Sequence, residues 1–137
     1  ITVMVQKEAA ERLCAQPGTR ECGAVSAAVQ YYAEPEILFE VSRGSFMPAP
    51  NVDSAVIQLR IRKEPPVDVH DEALFFRVIR AAFAQRRKTA VNSISNTLHM
   101  SKQQVTNAFE QAGVRANSRA EALTLPEFAA VVNQLAD

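Results

Sequence analysis

The chain has 137 residues, of which 47% are hydrophobic and 22% charged, close to the average of globular domains and enough for one core or two small ones. Fifteen Lys and Arg balance fifteen Asp and Glu, so affinity for a polyanion has to come from where the charges lie. The four glycines (Gly18, Gly23, Gly44 and Gly113) never fall within three residues of one another, which excludes a glycine-rich phosphate loop and with it a self-contained nucleotide-binding domain.

Ile1 to Val5 is β-branched and apolar, the pattern of a strand covered on both faces. It starts with Ile and has no lead-in, so the chain is expected to begin inside a larger protein. Gln6 to Ala15 consists of good helix formers and is stopped by Pro17 and Gly18. Gly23 to Tyr32 reads as a small-residue helix able to pack close to a sheet, with Tyr31 and Tyr32 laying their rings on it. Glu36 to Val41 is the next strand. Ser42 to Asn51 holds Pro48 and Pro50, which force extended backbone and remove two donors, so a stiff loop is expected. Val52 to Lys63 alternates, with Ala55, Ile57 and Leu59 on one side and Val56, Gln58 and Arg60 on the other, as in a strand with one buried face.

After Pro65 and Pro66 the period changes from 2 to 3.6, which places a domain boundary at about residues 65 to 70. Leu74 to Ala84 is a helix with Phe76, Ile79 and Phe83 on one face. A break at Gln85 to Lys88 separates it from, or joins it to, a helix over Thr89 to Leu98. Ser101 with Gln104, and Thr124 with Glu127, have the spacing of capping boxes that start two more helices, and Gly113 ends the first of these. Four short helices thus form a small all-α unit behind an α/β segment.

Between Glu72 and Glu110 the chain has no acidic residue, yet it carries Arg77, Arg80, Arg86, Arg87, Lys88 and Lys102. This cluster reads either as a solvated helix face or as a grip on nucleic-acid phosphates, and the missing acids favour phosphate. Arg86 would point into the apolar face if the helix ran on through it. Phe46, next to two prolines, is either packed on the domain or presented for stacking on a planar group such as a base. Cys14 and Cys22 read as free thiols, because His70 and His99 stand too far away to complete a zinc set. No apolar run reaches the ~20 residues of a membrane span, and no secretory leader is visible, so the expected compartment is cytoplasmic.

MVQKEAAERL (Met4 to Leu13), GAVSAAVQYY (Gly23 to Tyr32), FMPAPNVDSAVIQL (Phe46 to Leu59) and FRVIRAAFAQRRKTAVNSI (Phe76 to Ile94) resemble, in order and spacing, the small-subunit rRNA adenine N6,N6-dimethyltransferases. QKE followed by QYY is also shared with the macrolide-resistance rRNA methylases, whereas AFAQRRKT and the helical tail RAEALTLPEFAAVVN look like the housekeeping enzyme. The resemblance implies a fold of class α/β plus α. Residues 1–66 would be the C-terminal part of a Rossmann-like methyltransferase domain, and residues 67–137 a small helical rRNA-binding domain. Ile1 to Val5, Glu36 to Val41 and Val52 to Lys63 correspond to its last three strands, the third antiparallel and lying between the others.

The activity implied is transfer of methyl groups from S-adenosylmethionine to two adjacent adenosines near the 3′ end of small-subunit rRNA, in a pre-30S-type particle during ribosome biogenesis. Phe46 matches the aromatic that stacks on the target adenine, and Arg77, Arg80, Arg86, Arg87 and Lys88 are the expected RNA-binding residues. The reaction is a direct displacement that needs positioning of the amine and no protein nucleophile. Two departures stand out. Asn51 replaces the lysine usual between the second proline and the valine, and neither the glycine-rich cofactor loop nor the Asn-x-Pro-aromatic motif occurs in these residues. The chain alone is therefore expected to be inactive, without cofactor-binding or metal-binding residues, and to pair with a second copy through the Ile1 to Val5 edge. The alternative is a non-catalytic RNA-binding or ribosome-assembly factor.

Overall fold

A computed structural model of the chain describes residues 1–20, 22–42, 44 and 53–136. Among these residues three strands form one sheet: β1 (Thr2–Gln6), β2 (Ala33–Val41) and β3 (Ser54–Ile61), in the order β1-β3-β2. β3 runs antiparallel to both neighbours, the placement expected for the Val52 to Lys63 segment. Ile57 lies at the centre, opposite Val3 on one side and Ile37 on the other. In β2 the register shifts between Ile37 and Phe39, and Leu38 is the extra residue of a bulge.

Alternation along β3 works as the sequence suggests. Ala55 and Ile57 are wholly buried beneath Ala10 of α1 (Lys7–Cys14), joined by Val5, Leu13 and Leu59 in a small cluster. Burying one such isoleucine contributes about 2 kcal/mol. The opposite face stays open, with Met4 and Phe39 more than half exposed. This corrects the expectation that Ile1 to Val5 is covered on both faces: β1 is an edge strand, and Ile1 is 69% exposed.

α2 (Ala24–Tyr32) is tied to the end of α1 by two buried polar side chains, Ser26 Oγ donating to the Arg12 carbonyl and Gln30 Nε2 to the Ala15 carbonyl. Such groups are stable in an interior only when paired. The rings of Tyr31 and Tyr32 do not lie on the sheet, as the sequence suggested. They pack on the helical unit instead: Tyr31 contacts Phe75 and Phe76 at centroid distances of 5.1 and 5.2 Å, and Tyr32 stacks on Phe76 at 5.5 Å. Both hydroxyls donate to Glu72, at 2.9 and 3.2 Å. Burial, then the Glu72 hydrogen bond and charge, push the Tyr31 phenol up to about 12.

The helical unit consists of α3 (Glu72–Phe83), α4 (Ala90–Leu98), α5 (Lys102–Gln111), a 3₁₀ turn (Ala120–Ala122) and α6 (Leu125–Ala136). Its core holds Phe75, Val78, Ile94, Phe109, Phe128 and Val131, all essentially inaccessible. The buried stripe of α3 is centred on Phe75, Val78, Ile79 and Ala82, with Phe76 only half-buried at its margin, a shift from the face read in the sequence.

Caps form where the spacing places them. Ser101 accepts from the Gln104 amide, and Thr124 and Glu127 bond each other's backbone reciprocally. Gly113, at φ +75°, closes α5 with Val114 N–H on the Phe109 carbonyl and Gly113 N–H on Glu110. The preceding linker is fastened to α6 by Asn133, which accepts from His70 N–H and donates to the Asp68 carbonyl.

Candidate nucleic-acid interface

Asp71 caps α3 by accepting the Leu74 amide at 3.1 Å, and the apolar stripe then fixes the helix against its neighbours. Arg77 and Arg80, on the far side, are exposed. α3 ends at Phe83, tightened by Ala84 N–H on the Ala81 carbonyl, and the chain turns through Gln85 to Lys88, closed by Lys88 N–H on the Gln85 carbonyl at 3.0 Å. Thr89 then caps α4.

The break settles where Arg86 goes. A methyl-sized group at Gly23 would lie 3.3 Å from an Arg86 terminal nitrogen, so the guanidinium rests over the Gly23 backbone. Glu8, Glu11 and Arg12 of α1 line the same cleft of about 240 Å³. Burial raises the Cys22 thiol above its ordinary value, opposed by the Ser26 hydroxyl and the Arg86 charge, so this cysteine is a packed and protonated group. Arg87 and Lys88 are exposed. Among the described residues the ion pairs lie elsewhere, on α1 and the sheet: Lys7–Glu40, Arg12–Glu8, Arg60 with Glu34 and Glu36, and Arg62 with Glu34. The structure thus gathers Arg86, Arg87 and Lys88 on one turn, with Arg77 and Arg80 along the helix before it. Lys102 starts α5 beyond the far end of α4, about 13 Å of helix away. Phe46 lies outside the described residues.

The sequence reading missed Arg115 and Arg119. Ala90 N–H donates to the Ser118 carbonyl at 2.8 Å, which lays the 113–119 loop, with the exposed Arg115 and Arg119, against the start of α4, directly after the basic turn. Nothing local signals this, because the contact spans 28 residues. The only hint was that positive charge resumes after Glu110.

An edge of a small sheet backed by α1, joined through α2 to four helices with a cationic turn, defines an α/β plus α class of protein. A family model described as ribosomal RNA adenine dimethylase matches residues 1–137, and the chain belongs to that family. It is 50% identical over 138 residues to ribosomal RNA small subunit methyltransferase A of Geobacillus sp. (strain WCH70), covering 98% of this chain and 47% of that protein. It is 51% identical over 131 residues to the protein of the same name from Lachnoclostridium phytofermentans, covering 94% and 45%. The chain spans about half the length of these curated relatives. Among solved structures, a dimethyladenosine transferase from Plasmodium falciparum aligns with TM-score 0.69 and 20% identity over 95% of this chain and 54% of that one. The 23S rRNA methyltransferase ErmE aligns with TM-score 0.66 and 21% identity over 99% and 54%. At those identities the likeness concerns the fold.

Proposed function

We propose that these residues form the rRNA-recognition part of an S-adenosylmethionine-dependent enzyme that dimethylates two adjacent adenosines near the 3′ end of small-subunit rRNA during ribosome assembly. The family match over all 137 residues carries the reading. Residues 1–66 belong to a Rossmann-like domain and residues 67–137 to a helical rRNA-binding domain. Phe46 stacks on the adenine turned out of its helix, and Arg77, Arg80, Arg86, Arg87 and Lys88 hold phosphates. Arg115 and Arg119 extend the same surface.

The described residues do not fit a methyl-donor cradle. The two glycines with positive φ have other tasks: Gly18 abuts Thr124 and Gly113 closes α5. Titration of S-adenosylmethionine into the chain is expected to give no heat. Binding of the 3′-terminal hairpin of small-subunit rRNA tests the rest. The chain retains it in a salt-dependent manner, and a variant with Arg86, Arg87 and Lys88 all changed to Ala retains it less. Equal retention by both proteins overturns the assignment. The uncovered β1 edge supports pairing of two copies of the isolated chain, and a strictly monomeric mass by light scattering would count against that.

A further inference from the structure

We propose that Ser93 is the positioning residue of the basic turn, ending α3 by taking over a hydrogen bond that the helix would otherwise make with itself. The proposal rests on the reading of Arg86 to Lys88 as the phosphate-binding turn. In an uninterrupted helix Gln85 N–H would donate to the carbonyl four residues back, that of Ala81. Both groups are instead engaged by one hydroxyl: Ser93 Oγ accepts Gln85 N–H at 3.0 Å and donates to the Ala81 carbonyl. Ser93 is completely buried. A serine inside a helix commonly bonds back to its own preceding turn, but this one reaches across to the end of the preceding helix, α3.

The consequence falls on Arg86. Seven residues after Ile79, it would stand above that 1%-exposed side chain if α3 continued, with its guanidinium driven into the apolar face. The break sends it over Gly23 and leaves Arg87 and Lys88 in solvent. The anchor is complete at Gln85. Its amide goes to Ser93, its carbonyl takes Lys88 N–H, and its side-chain oxygen accepts from Asn96 Nδ2 at 3.1 Å. Ser93 and Asn96 are three residues apart, on one side of α4. Three cations held this way lose less freedom on meeting phosphates than three on a loose loop.

A double-mutant cycle on the full chain tests the proposal, with the 3′-terminal hairpin of small-subunit rRNA as probe. Ser93→Ala is expected to weaken binding about tenfold in the otherwise unchanged chain, since several side chains must then be ordered on contact. It should weaken it no further in the Arg86→Ala, Arg87→Ala, Lys88→Ala background. The same loss in both backgrounds would mean a general structural role and overturn the proposal, as would no loss in the first. Should Ser93→Ala lower the folded fraction by circular dichroism, the exposed Asn96→Ala replaces it in the same cycle. A smaller loss confined to the first background is then expected, and its absence overturns the proposal. A triple-alanine chain that binds as well as the parent defeats the phosphate reading itself, and the positioning role with it. A weakened triple variant beside silent Ser93→Ala and Asn96→Ala defeats only the positioning role.

Discussion

Removing the charges of the basic turn one at a time separates cations free to meet phosphate from one already engaged. Arg87 and Lys88 project into solvent, whereas Arg86 lies over Gly23 in a cleft shared with Glu8 and Glu11. Each phosphate neutralised on a duplex contributes about 0.9 to the slope of log K against log salt, so Arg87→Ala and Lys88→Ala should each flatten it by about that amount. Arg86→Ala should flatten it less, since the guanidinium lies over the Gly23 backbone in a cleft that Glu8 and Glu11 also line, and the triple variant by roughly 2 to 3. Lys102→Ala, at the far end of α4, serves as the control and should leave the slope unchanged. The measurement is fluorescence anisotropy of a labelled rRNA hairpin over a series of KCl concentrations. Parent-like slopes for Arg87→Ala and Lys88→Ala, or the largest effect at Arg86, would refute the geometry on which the ordering rests.

Four further outcomes concern stability. Ile57→Ala opens a cavity beneath α1 and should cost about 3 kcal/mol in urea unfolding, because the site is sealed by Ala10 and Ala55. Gly113→Ala should cost about 1 kcal/mol for the left-handed backbone alone, since a methyl there meets nothing within 4 Å. Gly18→Ala should cost more, because its φ is +93° and its methyl would press on Thr124 Cγ2 at 3.2 Å. Folding raises the Tyr31 phenol from 10.0 to about 12, so the protonated form is favoured in the native state. The resulting stability is fully present below pH 10 and is lost as pH rises through about 12. Thermal unfolding across that window should show the loss, and Tyr31→Phe should remove the part due to this group.

The parts of the fold legible in the sequence are those whose cause is local. Alternation from Asp53 to Arg62, the caps at Ser101 and Thr124 and the stop at Gly113 each depend on residues within a turn or two. The break after Phe83 was half legible: the misplaced Arg86 raised the question, but the answer belongs to Ser93, eight residues from the Gln85 amide it receives. Tyr31 and Tyr32 read from sequence as rings on the sheet because nothing near them in the chain names Phe75, Phe76 or Glu72 as partners. Burial of β1 was overread for a related reason. An apolar β-branched run reports an affinity for cover, and cover is supplied by elements elsewhere. The cationic surface was legible along α3 and its turn and was cut short at Glu110, because the hydrogen bond from Ala90 to Ser118 leaves no trace in composition.

The additional residue at Leu38 governs more than its own position. Phe39 faces Val56 and Glu40 faces Ala55, so Glu40 comes to the α1 side, where its carboxylate stands 3.5 Å from Lys7 Nζ, and Phe39 turns to the open side. Were Leu38 instead paired regularly opposite Val56, that parity would reverse, pressing an aromatic ring towards α1 and pulling the carboxylate away from its ammonium partner. Every residue downstream in the strand would be handed to the wrong surface, and the polypeptide leaving Val41 would set out from there inverted.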